Sequence, residues 1–209
     1  MPRPENRVGD LAVIKSMSNV LKTHLHFLWA ALLKQQQIGA IAPSTRFLVD
    51  RMISPVPEDY RGQIIELGAG SGALTLRLAA RCPQARILAC EINRSLARVN
   101  RSNLAAAGLD PARVEVVADS AENLLAGLCR KGAERPKFII SGIPLGNLGN
   151  EKSLAIIEAV RETLRPGGMF VQFQYFLADR RKIRARFARM RTVPVFLNLP
   201  PAFVYYAQK

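Results

Sequence analysis

From Gln63 to Lys209 the chain alternates short apolar runs with segments of helical periodicity, and this alternation narrows its possible folds more than any other feature. The runs are QIIEL (63–67), RILACE (86–91), RVEVV (113–117), KFIIS (137–141) and MFVQFQ (169–174). Helical patterns follow the first run as far as Arg81, cover 94–107 before Gly108, and cover about 151–164 before Arg165-Pro-Gly-Gly. Strands separated by helices pair in parallel through right-handed crossovers, so a three-layer α/β sheet is expected. A basic helix over about 179–190 and two closing strands, VPVFLNL (193–199) and AFVYYAQ (202–208), complete the pattern. The Pro200-Pro201 link is too short for a crossover, so the closing pair is expected to be antiparallel.

Upstream, Leu11 to Gln37 reads as one helix. Ile14, Met17, Leu21, Leu25, Leu28 and Leu32 recur at steps of three or four, with Lys15, Asn19, Lys22 and His26 on the other side. Such a stripe suits a lipid interface, and equally suits packing on the chain's own sheet or on a partner subunit. Gly39 and Pro43 break it, Thr45 to Ile53 reads as a second short helix, and Ser54-Pro-Val-Pro marks a boundary. The expected organisation is an N-terminal segment, 1–57, followed by one domain, 58–209.

With 209 residues there is room for one domain of ordinary size. Thirty Lys and Arg against 16 Asp and Glu give a net charge of +14, which points to a polyanionic partner, nucleic acid or an anionic membrane surface, without choosing between them. The three cysteines are too scattered for a disulfide framework. His24 and His26 have no Cys or carboxylate at ligand spacing, so no metal site is expected. The longest unbroken apolar stretch, Phe27 to Leu33, is seven residues, far short of the roughly 20 that a spanning helix needs. No secretory pattern is visible, and the expected location is the cytoplasm.

The chemistry is concentrated in ELGAGSG (66–72), which follows an expected strand and opens an expected helix. Gly68, Gly70 and Gly72 let the backbone turn sharply and approach a ligand closely. Gly68-x-Gly70-x-x-Ala73 also satisfies the dinucleotide fingerprint, and Glu91 stands where an acid would hold ribose hydroxyls, so a nicotinamide cofactor is a live alternative. Three features tilt against it. Glu66 places a carboxylate close to the ligand, which suits an ammonium and a sulfonium and repels a pyrophosphate. Asp119-Ser120 can accept from and donate to an adenine edge. The antiparallel closing pair is also unusual for a dinucleotide domain.

On these residues, together with Ser141-Gly-Ile-Pro-Leu and Arg165-Pro-Gly-Gly, the chain from Arg61 to Lys209 resembles the S-adenosylmethionine-dependent methyltransferases with a Rossmann-like, seven-stranded sheet. The resemblance implies that Glu66, Gly68, Gly70 and Gly72 surround the methionine part of the cofactor. It implies that Glu91, with Ile92 beside it, binds the ribose, that Asp119 and Ser120 hold adenine, and that Ser141 closes the site. It implies no metal.

The end of the fourth strand faces the methyl group in that fold. Enzymes acting on exocyclic base amines place an amide or acid there, followed by an aromatic that stacks on the base. Ser141-Gly142-Ile143-Pro144-Leu145 has neither, which disfavours base chemistry, although the rRNA adenine N6-dimethyltransferases remain the nearest nucleic-acid alternative. Phe27-Leu-Trp-Ala, Ile38-Gly-Ala-Ile-Ala-Pro-Ser-Thr and SGIPLGNL (141–148) are similar to the bacterial phospholipid N-methyltransferases. That family more often carries Ser where Thr45 stands. The likeness implies methylation of phosphatidylethanolamine towards phosphatidylcholine by an enzyme peripherally bound to an anionic phospholipid membrane at its inner face. Ser141 and Pro144 would offer carbonyls to the substrate amine, Tyr175 a ring or hydroxyl to the head group, and Arg46 a charge to the lipid phosphate. Seven basic residues between Arg180 and Arg191, with Ile183, Phe187 and Met190 turned inward, would face the membrane.

Overall fold

A computed structural model describes residues 43–130, 134–175, 177, 179–198 and 201–209, all within the unit Ile41–Lys209. The helix expected over Leu11 to Gln37, with its Phe27-Leu-Trp-Ala, both histidines and most of the Ile38–Thr45 segment, lies outside the described residues.

Seven strands form one sheet: β1 (Gln63–Leu67), β2 (Arg86–Cys90), β3 (Val114–Val117), β4 (Phe138–Ser141), β5 (Met169–Gln174), β6 (Arg189–Val195) and β7 (Ala202–Gln208). Their order is β3-β2-β1-β4-β5-β7-β6. The first five pair in parallel. Strand β7 runs antiparallel to β6, as the short proline link requires, and also antiparallel to β5. The central strands are apolar on both faces because helices cover both, as β1 and β4 show in their nearly continuous burial.

Helices α1 (Pro43–Ile53), α2 (Ala73–Arg81) and α3 (Arg94–Ala106) are accompanied by α4 (Ala121–Arg130), α5 (Asn150–Thr163) and α6 (Arg180–Arg184). Leu48, Met52, Leu78 and Leu104 share a core with Ile64, Ile87, Ile140 and Val171 on one face of the sheet. Leu125, Ile157, Val160 and Ile183 share a second core with Ile65, Leu67, Ile139 and Phe170 on the other. Parallel α/β sheets bind ligands where strand order reverses, at the carboxyl ends of the strands, and here that point lies between β1 and β4.

The expected basic helix over 179–190 is corrected by the structure. Only Arg180–Arg184 are helical, and Arg189–Val195 form the edge strand β6. Thr192, Val193 and Val195 favour an extended backbone, Pro194 ends any helix, and pairing with β7 along the whole strand outweighs helical propensity. The inward face holds: Ile183 and Phe187 are buried and Met190 packs against the same core. The sixth strand therefore lies earlier than 193–199, leaving Phe196 and Leu197 in the turn beyond it. Helix α4, between the third and fourth strands, has no counterpart among the helices read from the sequence. Among the described residues no helix is long and apolar enough to cross a membrane.

Candidate functional site

The glycine bend joins β1 to α2. Gly68, Gly70 and Gly72 all take positive φ, at 73°, 56° and 97°. The bend is pinned from three sides. Gly68 and Ala69 donate their N–H groups to the Cys90 carbonyl at 2.8 and 3.0 Å, Gly70 donates to Glu91 Oε2 at 2.8 Å, and Asn103 Nδ2 donates to the Ser71 carbonyl at 2.9 Å. A Cβ on Gly68 would sit 2.9 Å from Ile143 Cγ1, and one on Gly142 would sit 2.9 Å from the Gly68 carbonyl oxygen. The ends of β1 and β4 thus touch backbone to backbone, as the strand-order reversal demands.

Glu66 is buried beneath this bend. Burial, a hydrogen bond with Thr75 that opposes it, and the nearby Glu91 carboxylate together push its pKa up to about 8. Its Oε2 has no partner within the protein, nor has Asn100 Oδ1, although Asn100 Nδ2 donates to Thr75 Oγ1 at 3.3 Å. Asn100 Oδ1 is an acceptor, and Glu66 Oε2 is one once the carboxyl gives up its proton; a buried acceptor without a donor is costly. Donors are therefore what is missing here, which fits a cationic amine and disagrees with a pyrophosphate. Thr75 and Asn100 are absent from the residues read out of the sequence. Their signal is a polar residue on the buried stripe of a helix: Thr75 lies beside Leu74 and Leu78, Asn100 between Ala97 and Leu104.

Glu91 directly follows β2, almost fully buried, and its two oxygens accept from Gly70 N and Asn93 N, at 2.8 and 2.9 Å. It does not cap α3; Asn93 does, accepting from the N–H groups of Ser95 and Leu96. Each Glu91 oxygen retains a lone pair for a further donor. Ile92 is 73% exposed, a flat apolar surface at the same strand end. Asp119 Oδ1 accepts from Ser120 N at 2.7 Å and Asn123 Nδ2 at 3.0 Å, while Ser120 Oγ caps α4 through Asn123 N at 3.1 Å. Cys90 Sγ donates to the Asp119 carbonyl at 3.1 Å, and burial together with the nearby Asp119, Glu91 and Glu122 carboxylates pushes this thiol up to about 12.

At the end of β4, Ser141 is fully buried and its Oγ accepts from Ile143 N at 3.2 Å. Gln172, its neighbour on β5, donates Nε2 to the Ile143 carbonyl at 2.8 Å and so clamps the segment. Pro144's carbonyl accepts from Asn147 N at 2.9 Å and keeps one lone pair. Tyr175, just past β5, packs edge-on against Phe173 with ring centroids 5.6 Å apart and is hydrogen-bonded to Asn198 in the β6–β7 turn. Every residue expected at the site therefore lies at the carboxyl edge of the sheet, and β1, β2, β3, β4 and β5 each contribute. Among the described residues no cluster of His, Cys, Asp or Glu is arranged to hold a metal.

Comparison with known proteins agrees with this geometry. Residues 64–168 match the family described as methyltransferase domain. The chain is 29% identical over 173 residues to the ornithine lipid N-methyltransferase of Singulisphaera acidiphila, covering 82% of this chain and 88% of that protein. A 16S rRNA N2 G1207 methyltransferase of T. Thermophilus, solved with AdoMet and guanosine, superposes with a TM-score of 0.62 at 26% identity, covering 82% of this chain and 44% of that one. A SAM-dependent methyltransferase of Aquifex aeolicus superposes with a TM-score of 0.64 at 14% identity, over 85% of this chain and 97% of that one. With the glycine bend, the buried acid beneath it and the strand order all in place, the chain belongs to the methyltransferase-domain family and is a class I S-adenosylmethionine-dependent methyltransferase.

Proposed function

We propose that this enzyme N-methylates the amine of a lipid head group at an anionic membrane surface, with phosphatidylethanolamine and its partly methylated derivatives as acceptors. The observation that carries the reading is the likeness to an ornithine lipid N-methyltransferase over 82% of the chain, well beyond the cofactor half that all such folds share. The SGIPL end of β4 supports it, because no side chain there would stack on a flipped base.

When bound, the cofactor supplies a methyl group activated by a sulfonium. The remaining work is placement. Glu66, ionised by a cationic neighbour, would face the methionine ammonium, with Thr75 and Asn100 behind it. The bend at Gly68, Gly70 and Gly72 leaves room for close backbone approach. Glu91 would accept from the ribose hydroxyls, Ile92 would cover one face of the adenine, and Asp119 with Ser120 would bind its edge. On the acceptor side, the Ser141 and Pro144 carbonyls would accept from the head-group amine and hold its lone pair in line for displacement. Gln172 keeps that segment in place by occupying the Ile143 carbonyl. An amine drawn out of water loses its proton more readily, so desolvation at this edge does the work of a base. Tyr175 would present its ring to the methylated ammonium, and Arg46, exposed on the first turns of α1, would meet the lipid phosphate.

An RNA acceptor is the competing reading, favoured by the net charge of +14 and by the structural likeness to an rRNA methyltransferase solved with guanosine. One assay separates them. Enzyme is incubated with labelled S-adenosylmethionine, total RNA, and liposomes containing phosphatidylethanolamine and phosphatidylglycerol. Label in the lipid fraction supports the proposal; label in RNA with none in lipid overturns it.

A further inference from the structure

The five large apolar side chains exposed among the described residues are Phe47, Ile92, Leu177, Phe196 and Leu197. Ile92, past β2, stands three strands from β5, and the other four lie at the far end of the sheet. Leu177 follows β5, and Phe196 and Leu197 form the turn after β6. Gln174 pairs with Phe203 and Val195 with Ala202, so both connections lie on the same carboxyl edge, two strand spacings or about 10 Å apart. Phe47 joins them. Asp50 pairs with Arg77, and the Val56 carbonyl accepts from Arg81 Nε, so α1 runs beside α2 in the same direction. Since α2 starts at the glycine bend, Phe47, upstream of Asp50, lies toward the carboxyl edge.

Two of these side chains are strongly presented, Phe196 at 75% and Leu197 at 67% exposure. The turn that carries them is anchored, because the next residue, Asn198, is buried and hydrogen-bonded to Tyr175 at the candidate site. Exposed bases lie on the elements that flank the patch. Arg46, Arg180 and Arg181 are exposed, and Arg184 follows one turn along α6. The acid on that helix's approach, Asp179, is buried and paired with Lys182 at 2.7 Å. Glu151 at the start of α5 is exposed with Lys152 beside it, and Asp50, one turn along α1 from Phe47, is paired with Arg77. An apolar tip with arginines on its flanking elements is complementary to a bilayer of anionic lipid, whose interface takes apolar and aromatic side chains while its head groups meet the cations.

We infer that the β6–β7 turn, with Phe196 and Leu197 at its tip and Leu177 and Phe47 beside it, enters the interfacial layer of an anionic phospholipid bilayer and seats the carboxyl edge of the sheet, with Tyr175, on the membrane. The inference rests on the lipid reading above. It assigns docking to the catalytic domain itself, at a place other than the N-terminal stripe and other than the whole basic run. Residues of that run are spread along the edge of the sheet, Arg186 is paired with Glu158, and Arg189 lies at the opposite edge.

The test uses the full chain and vesicles of phosphatidylethanolamine and phosphatidylglycerol. Phe196→Glu combined with Leu197→Glu is expected to lower the vesicle partition coefficient at least tenfold, with S-adenosylmethionine affinity unchanged, since neither residue touches the glycine bend. Phe196→Trp, in a chain whose single tryptophan is removed by Trp29→Phe, is expected to show a blue shift and quenching by brominated acyl chains. Unchanged partition by the double variant, or emission from the introduced indole that is blind to brominated lipid, overturns the inference. So does a wild-type dimer in ultracentrifugation that the double variant dissociates while vesicle binding stays intact, because a second copy then covers the patch. Failure of the functional reading looks different: vesicle binding and quenching persist, and no label enters lipid in vesicles or in detergent micelles.

Discussion

Glu66 is the residue whose charge state decides most. Burial raises its pKa to about 8 from an ordinary 4.5, so the folded protein without cofactor holds a proton there that the unfolded chain loses. Its contribution to stability is therefore full below pH 4.5 and is lost as the pH rises through 8. Glu66→Gln is expected to raise the melting temperature relative to wild type more at pH 8 than at pH 5, by thermal denaturation without cofactor. Binding a cation at this acid must expel the proton. Calorimetry in two buffers of different ionisation enthalpy should show close to one proton released per cofactor at pH 7, and affinity weakening up to tenfold per pH unit below 8; Glu66→Gln abolishes both. At Gly72 the backbone is the issue. Its φ is 97°, and an added Cβ would stand 2.2 Å from Asn100 Oδ1. Gly72→Ala is expected to cost about 1–3 kcal/mol by denaturant unfolding and to weaken cofactor binding at least tenfold. Glu66 and the three glycines were legible in ELGAGSG, because a bend that tight admits few alternatives. Thr75, Asn100 and Gln172 were not, because their roles exist only once separate elements meet.

At the scale of elements, α1 shows how an upstream segment becomes part of the domain. Its buried stripe of Leu48, Val49, Met52 and Ile53 packs on the sheet, and Tyr206 on β7 donates its hydroxyl to the Arg51 carbonyl at 2.6 Å. Tyr206→Phe removes that bond, while Ser54 Oγ still donates to the same carbonyl at 2.9 Å. Stability is expected to fall by about 1 kcal/mol, read from urea unfolding, with the cofactor dissociation constant unmoved. The Asp50–Arg77 pair is a contrasting case: both side chains are about two-fifths exposed, and Asp50→Asn is expected to change stability by less than about 1 kcal/mol in the same measurement. The element that sequence periodicity misassigned is the stretch after Asp179. Ile183, Phe187 and Met190 recur at helical steps, yet the backbone leaves the helix after Arg184. Steps of three and four also occur where a short helix, a bend and a strand each turn one residue inward. The deciding partner, β7, lies later in the chain.

For the whole molecule, the net charge of +14 makes association with a polyanion strongly salt-dependent. Partition onto vesicles with phosphatidylglycerol is expected to fall several-fold between about 50 and about 300 mM salt, and to be near baseline at all salts on vesicles of phosphatidylcholine alone; equal binding to both would place the affinity in apolar insertion only. Local order in this protein was written in the sequence. The alternation of runs implies a parallel sheet, the short proline link an antiparallel end, and three glycines between acids a cofactor bend. Each follows from sterics and periodicity within a few tens of residues. Tertiary structure alone decided where the edge strand begins, which buried acceptors lack donors, and that the exposed apolar side chains gather on the edge that bears the site. Those properties depend on strands that pair across long separations, and no local pattern carries that distance.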